Sequence, residues 1–466
     1  MSRQDAGAPS DLEAQDGLPV PRRYWAVATI TLGLSLSVLS TAIANVALPA
    51  MGKDLGVDPA TSIWIVTAYQ IAVTVALLPL SSLGDILGYT RVYRAGIAVF
   101  LLASLACALA DSLQTLVIAR VFQGLGAAGI MAVNAALVRF TYPRAQLGRG
   151  MGMNTLIVAG SSASGPSIAA AILAVAPWPW LFAFNLPIGL AALTLSIWTL
   201  PRVRVPRYPF DWPSAFLSGL TFGLLIFGVD GIGHGQRVPV ILGVLVAALI
   251  FGWLFLRRQR ALTTPMLPID LFKRPVFALS VLSSSIAFTA QGCGVVALPF
   301  YLHDVLGRSQ VDTGLLMTPW PLGLALTAPI AGRLADRHPA GLLGAIGLTC
   351  MCGGLVSLAL LPADPASWNI AWRTALCGIG FALFQTPNNR LMVSNIPRER
   401  SGSAGGIMST ARLMGQTFGA AIVAMVFGLV ASASTAPTVA LLIGAAFAIL
   451  GIATSGLRLT GRARGS

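Results

Sequence analysis

An always-protonated guanidinium, Arg120, stands inside the apolar run TLVIARVFQGLGAAGIMAV, with the amide of Gln123 three residues further on. Arginine keeps its proton in a protein and presents five N–H donors in a planar fork, so its chemistry is recognition of electron-rich groups and not proton transfer. A second arginine, Arg412, lies in another apolar run, and neutral polar residues are set into others: Ser40, Asn45, Tyr69, Gln70, Gln291, Gln385 and Asn388. No carboxylate accompanies them. The only glutamates, Glu13 and Glu399, and the aspartates Asp111, Asp211, Asp230, Asp304 and Asp312 fall at or beyond the ends of apolar runs. These residues fit the lining of a net positive binding cavity. They do not fit an enzyme: His234, His303 and His338 are scattered, and no dense cluster of His, Asp and Glu exists that could hold a metal or move a proton. No metal site and no cofactor are expected.

Asp85 and Asp336 offer a second chemistry. They sit in SSLGDILGYTRVYR and AGRLADRHPAG, each after a leucine and a small residue, with Arg91, Arg94 and Arg337 nearby. A carboxylate at one helix end bonds well to N–H groups at the start of a neighbouring helix, where the dipole favours an anion. Such a contact holds one conformational state closed, which makes Asp85, Arg91, Asp336 and Arg337 gating candidates. A third pattern, GSSASGP, puts small residues ahead of a proline. A helix face without bulk admits a close neighbour and proline removes one backbone bond, so Gly165 and Pro166 are hinge candidates.

The elements that position these groups follow from composition. The chain is 56% hydrophobic and 10% charged, with mean hydropathy +0.79, against about 25% charged residues in a soluble domain. Lipid is the solvent that such a sequence fits. Apolar runs occur near 25–48, 62–82, 92–111, 113–138, 150–175, 180–200, 212–230, 238–256, 276–300, 313–332, 341–361, 368–392, 404–430 and 437–457. In lipid each must be a helix, because a helix satisfies its own backbone hydrogen bonds. An all-α membrane protein of fourteen spans is therefore expected. Arg120 falls about seven residues below the outer end of span 4, on the order of 10 Å. Burial there costs roughly 2.5–3.5 kcal/mol, so it should face a wet cavity or a partner and not lipid.

The net charge of +14 is distributed by side. With the N-terminus inside, 24 of the 30 Lys and Arg residues fall on the inner side, whereas the outer loops hold only Lys53, Arg237, Arg308 and Arg373. This positive-inside bias supports the span count and two cytoplasmic termini in a cell membrane. No basic domain is present to bind nucleic acid. Cys107, Cys293, Cys350, Cys352 and Cys377 all lie in spans, as small buried hydrophobes.

The Leu-(Gly/Ala)-Asp loops recur after the second helix of each six-helix set, if spans 1–6 and 9–14 form two halves. That gives residues 1–24 as a disordered tail, 25–200 as the first half, 201–274 as an inserted pair, 275–457 as the second half and 458–466 as a tail. Two parallel halves around a midplane cavity are a transporter architecture.

The motifs then resemble a known family. LGD at Leu83–Asp85 and LADR at Leu334–Arg337 are similar to the inner-loop signature of the major facilitator superfamily, and RVFQGLGAA at Arg120–Ala128 to its fourth-span signature. GPSIAA at Gly165–Ala170 resembles the span 5 signature of its fourteen-span drug:proton antiporter branch. NVALP, WIVTAYQ, WPWLFAFNLPIG and FYLHDVLGRSQVDTGLLMTPWPLG are similar to further patterns of that branch. The resemblance implies export of small amphipathic molecules, drugs or metabolites, in exchange for protons, by a monomer. Uptake by symport or uniport on the same fold is the alternative; a membrane enzyme or a sensor is further away. No GxxxxGK(S/T) loop is present for a nucleotide. Several positions depart from the pattern: Ser81, Ile86 and Tyr89 in the first loop, Ala169 and Ala170 in span 5, and Pro179 after it. In span 1, Ser40 stands where the branch usually has the aspartate held to take part in coupling, and Ala42 where it has threonine. Without that acid, Arg120 has no evident counter-charge.

Overall fold

The computed structural model describes residues 17–462, apart from 144–145, 202–208, 234–235, 263–268, 363, 395–400, 431 and 433. Among them there is no strand. The helices are α1 (Arg22–Asp54), α2 (Pro59–Ser62), α3 (Trp64–Leu87), α4 (Tyr89–Ala108), α5 (Leu113–Thr141), α6 (Leu147–Leu173), α7 (Trp180–Ala183), α8 (Asn185–Thr199), α9 (Trp212–Gly233), α10 (Val238–Ala261), α11 (Pro275–Phe300), α12 (Gln310–Met317), α13 (Pro319–Arg337), α14 (Ala340–Ala359), α15 (Ser367–Ser394), α16 (Ser401–Leu429) and α17 (Ala436–Arg462). Twelve helical segments among the described residues are long and apolar enough to cross a membrane. Two more long helices, α6 and α15, of 27 and 28 residues, stand where the sequence places spans 5 and 12.

Local chemistry sets the helix ends. Asp58, Ser112 and Ser309 cap α2, α5 and α12 by accepting from the backbone N–H three residues on, which satisfies donors that a helix start leaves free. Pro187 follows the break between α7 and α8, and Pro319 and Pro321 follow that between α12 and α13. Each proline removes a backbone donor and loosens the turn before it.

Three apolar clusters divide the interior. The largest joins both ends of the sequence, packing Ile43, Leu48, Met51 and Phe182 with Phe288, Leu298, Met317 and Val423. The second gathers Ile30, Leu36, Val73, Tyr93 and Leu137, to which α16 adds only Leu413. The third holds Leu271, Phe277, Met392 and Ile407. The first half of α1 lies in the second cluster and its second half in the largest; α11 passes likewise from the third cluster to the largest. The two helix groups thus share one core at one end of the bundle and keep separate cores at the other. The separated end carries both the start of α1 and the end of α17, because Arg22 donates to the carbonyls of Thr199 and Leu200 while Arg458 reaches Asn388 and Ser280.

Between the groups, α6 packs on α12 and α13, and α3 packs on α16. A Cβ at Gly314 would fall 2.7 Å from the Pro166 carbonyl, and one at Gly165 would run into the Ala42 side chain. Both hinge candidates therefore lie at the contact of α1, α6 and α12. There the Ser167 and Thr318 hydroxyls bond across the seam at 2.9 Å. The pair α9 and α10 packs on α3 and α16 through α9. Asp211 and Arg258 join its two helices at 2.8 Å. Burial pushes the Asp211 carboxyl up, but hydrogen bonds from Arg258 and Ser214 outweigh it and hold the group below the usual carboxylate range. At the chain's end α17 continues to Arg462, and Arg458, counted with a tail from sequence, is 7% exposed.

The Ser167–Thr318 contact is testable. A Ser167→Cys/Thr318→Cys double variant is expected to cross-link in mild oxidant and lose transport, with recovery on reduction. Absence of a cross-link would place these helices apart.

Candidate functional site

Arg120 is fully buried, and its surroundings answer what balances it. Its Nε donates to the Ile65 carbonyl at 2.8 Å, and its Nη1 to the Ser40 hydroxyl at 3.0 Å and the Gln123 side-chain carbonyl at 2.5 Å. Its guanidinium lies 4.3 Å from the Tyr69 ring centre and 5.7 Å from that of Phe182. Hydrogen bonds to a charged group and a ring face toward a cation are individually worth about 0.5–3 kcal/mol. Together they solvate the charge without an acid. Gln123 in turn donates to the Ser104 hydroxyl at 2.8 Å. Tyr69 donates to the Ser37 carbonyl at 2.9 Å, which fixes the ring under the guanidinium. The glycines of the fourth-span motif permit this packing, since a Cβ at Gly124 would fall 2.5 Å from the Tyr69 carbonyl.

Of the two surroundings expected for Arg120, a wet cavity or a partner, the structure gives the partner, and the reading of Arg120 as cavity lining is corrected. In this conformation it is enclosed by its own helix group and lines no open cavity. One atom, Nη2, has no partner among the described residues, nor do the buried Asn45 Oδ1 and Gln70 Oε1. Arg412 differs: it is partly exposed, and its charge acts on Tyr69 from the other helix group. One turn along α16, Gln416 donates to Gln291 of α11 at a long 3.5 Å. The structure thus brings Ser40, Tyr69, Arg120 and Gln123 together, and sets Arg412, Gln416 and Gln291 on the facing group.

Asn388 goes elsewhere. It donates to Ser284 Oγ at 2.7 Å and to the Ser280 carbonyl at 3.2 Å, and it accepts from Arg458, at the separated end of the bundle. It is a joint of α11, α15 and α17 and not a wall of the central seam. Arg458 was missed from sequence because it stands at the edge of an apolar run; the one signal was Ser455, three residues earlier on the same face, which it bonds at 2.9 Å. Gln385 is partly buried on α15.

Among the gating candidates, Asp85 accepts from the Tyr89 hydroxyl at 2.8 Å. The tyrosine that replaces the family's basic residue thus supplies a neutral partner. Arg91 bonds the Leu87 carbonyl at 3.4 Å, and Arg337 is exposed at the end of α13. The Asp336 side chain lies outside the described residues. The Asp85 and Arg91 contacts stay within their own group, at the end where the groups keep separate cores.

Residues 30–420 match the family model described as Major Facilitator Superfamily. The chain belongs to this family. It is similar to the uncharacterized transporter YebQ of Escherichia coli (strain K12), 53% identical over 449 residues that cover 96% of this chain and 97% of YebQ. The riboflavin transporter RibZ of Clostridioides difficile (strain 630) is 30% identical, with 87% and 89% covered. The tetracenomycin C resistance and export protein of Streptomyces glaucescens is 30% identical, with 91% and 79% covered. The chain is accordingly a multi-pass membrane transporter of the major facilitator superfamily, and its relatives are transporters and not enzymes.

Two outcomes follow from the geometry. Ser40→Ala removes one hydrogen bond to a charged group, about 1.5–3 kcal/mol, and should lower the melting temperature of the purified protein; Arg120→Ala should lower it further and leave very little transport, while Arg120→Lys keeps part of both. An unchanged melting temperature in Arg120→Ala would remove Arg120 from this role. Asp85→Asn and Asp336→Asn should slow turnover more than they weaken substrate binding, because a gating contact stabilises a conformation and touches no substrate. Normal turnover in both, at equal expression, would leave them as topology-setting charges.

Proposed function

We propose that this transporter exports small amphipathic molecules from the cytoplasm, as a fourteen-span monomer of the cell membrane with both termini inside, by proton antiport. The observation that carries the reading is the seam itself. The two helix groups share one apolar core at the end away from the termini and keep separate cores at the end that carries them, where Arg22, Arg91, Arg257, Arg258, Arg337 and Arg390 lie near helix ends; we read this as a seam closed at the first end and parted at the second. With that basic end in the cytoplasm, the conformation is one that loads from inside. The two additional spans are α6 and α15: at 1.5 Å per residue each is about 40 Å long, enough to cross a bilayer core of roughly 30 Å. On this reading residues 25–200 and 275–457 are the two halves, and 201–274 the inserted pair. Asp85, Arg91, Asp336 and Arg337 close the parted end in the opposite state, with Gly165 and Pro166 at the pivot. Support for export comes from the tetracenomycin C relative and the antiporter-like span 5.

The carrier of the proton is not among the central residues. Arginine does not titrate, and Ser40 replaces the acid. The described carboxylates lie at helix ends, and the histidine His303 stands at the closed end, 2.7 Å from Asp304. A second reading, uniport or exchange without a proton, is favoured by that arrangement. Reconstituted vesicles with a pH gradient and a potential imposed separately distinguish the two, using a panel of labelled compounds. Accumulation driven by the pH gradient is expected for antiport. Accumulation indifferent to pH would leave uniport or exchange, and no movement of any compound in either gradient would refute export.

A further inference from the structure

Of the two arginines at mid-depth, only one is free to meet a substrate. Arg120 is sealed among Ser40, Gln123, Ile65 and the Tyr69 ring. Arg412 is partly exposed and has no hydrogen bond or ion pair among the described residues. It lies about eleven residues into α16, so roughly 17 Å from the start of that helix, at the level where α16 crosses α3. Its neighbour Leu413 is buried in the cluster of the first helix group, beside Tyr69 and Val73. The i to i+4 relation puts Gln416 on the same face as Arg412, above it toward the closed end, and Gln416 faces Gln291 of α11. The titratable and charged groups that face Arg412 are Tyr69 and, behind that ring, Arg120. No carboxylate is among them. A second positive charge behind the ring adds to the field, so a cationic ligand is repelled from this position and an anion is drawn to it.

We propose that Arg412 receives the carboxylate or other anionic group of an organic-anion substrate, with Gln416 and Gln291 as hydrogen-bond partners for the rest of its polar head. A guanidinium binds a carboxylate through two parallel N–H bonds, which gives both strength and orientation. The inference rests on the transport reading above and narrows its substrate class.

The test uses the full-length protein in detergent and follows its thermal stabilisation by 1-naphthaleneacetate and by cholate, each against its own primary amide. The amides keep shape and lose charge. Each acid should bind about 10- to 100-fold more tightly than its amide, the range expected of one hydrogen bond to a charged group. Arg412→Gln should abolish that difference while leaving amide affinity within about twofold, and Arg412→Lys should keep part of it. Equal affinity for acid and amide, failure of both acids to stabilise the wild type, or an acid preference retained in Arg412→Gln would each overturn the proposal. The wild-type comparison stands even where a variant folds poorly. Acid-selective binding without movement in vesicles would support Arg412 and refute export; acids and amides moving alike would do the reverse.

Discussion

A positive charge that cannot be given up is buried at mid-depth among groups that carry none, and the first helix group is organised around it. Arg120 stands on α5 and reaches Ser40 of α1 and the Ile65 carbonyl and Tyr69 ring of α3; Gln123 extends the network to Ser104 of α4, and Phe182 of α7 closes it. In hydrocarbon, every donor left without a partner costs free energy. Displacing α1, α3 or α7 would strip the guanidinium of a partner, and displacing α4 would strip Gln123 of one, so the node opposes deformation within the group. Motion is then directed to the boundary between groups, where the contacts are close but mostly apolar.

The second group has its node at another level. Arg458 joins Ser280 of α11, Asn388 of α15 and Ser455 of α17 near the separated end, again without an acid. The two helix groups are therefore braced at different depths. The first is held at mid-depth and the second near the separated end. This leaves mid-depth of the second group free of a sealed charge, and it is there that Arg412 faces the seam.

Hydropathy made the helices readable, because in lipid an apolar run of sufficient length has one available conformation. The helix at 22–54 runs past the apolar stretch at 25–48, since helices extend into the interface where hydropathy no longer reports them. At Ser367–Ser394 the long helix α15 was legible from its place in the charge alternation more than from its polarity: it carries Arg373, Gln385, Asn388, Asn389 and Arg390. The polar residues were legible as a set but not as a constellation. Sequence gives depth along a helix, whereas partners depend on rotation and on which helix lies alongside. Thus Arg120 and Arg412 read as equivalents, although one is enclosed and the other open, and Asn388 read as cavity lining although Arg458 claims it. The glycines of α5 were the best local clue. A close approach of α3 to α5 is what brings the Tyr69 ring and Ile65 carbonyl within reach.

The helices α9 and α10 make the two lateral seams unequal. α9 lies along α3 and α16, so on that flank any passage between the halves is walled off from the fatty-acyl chains. On the opposite flank α6 meets α12 and α13 with small side chains: Gly314 lies against the Pro166 carbonyl and Ala170, and Ser167 bonds Thr318. An amphipathic molecule dissolved in the leaflet diffuses in two dimensions and at a local concentration far above that in water. For such a molecule the bundle has a front and a back. If such a molecule entered from the bilayer, its access would be one-sided, and the flank without α9 is the one where membrane thickness and lipid composition would be felt.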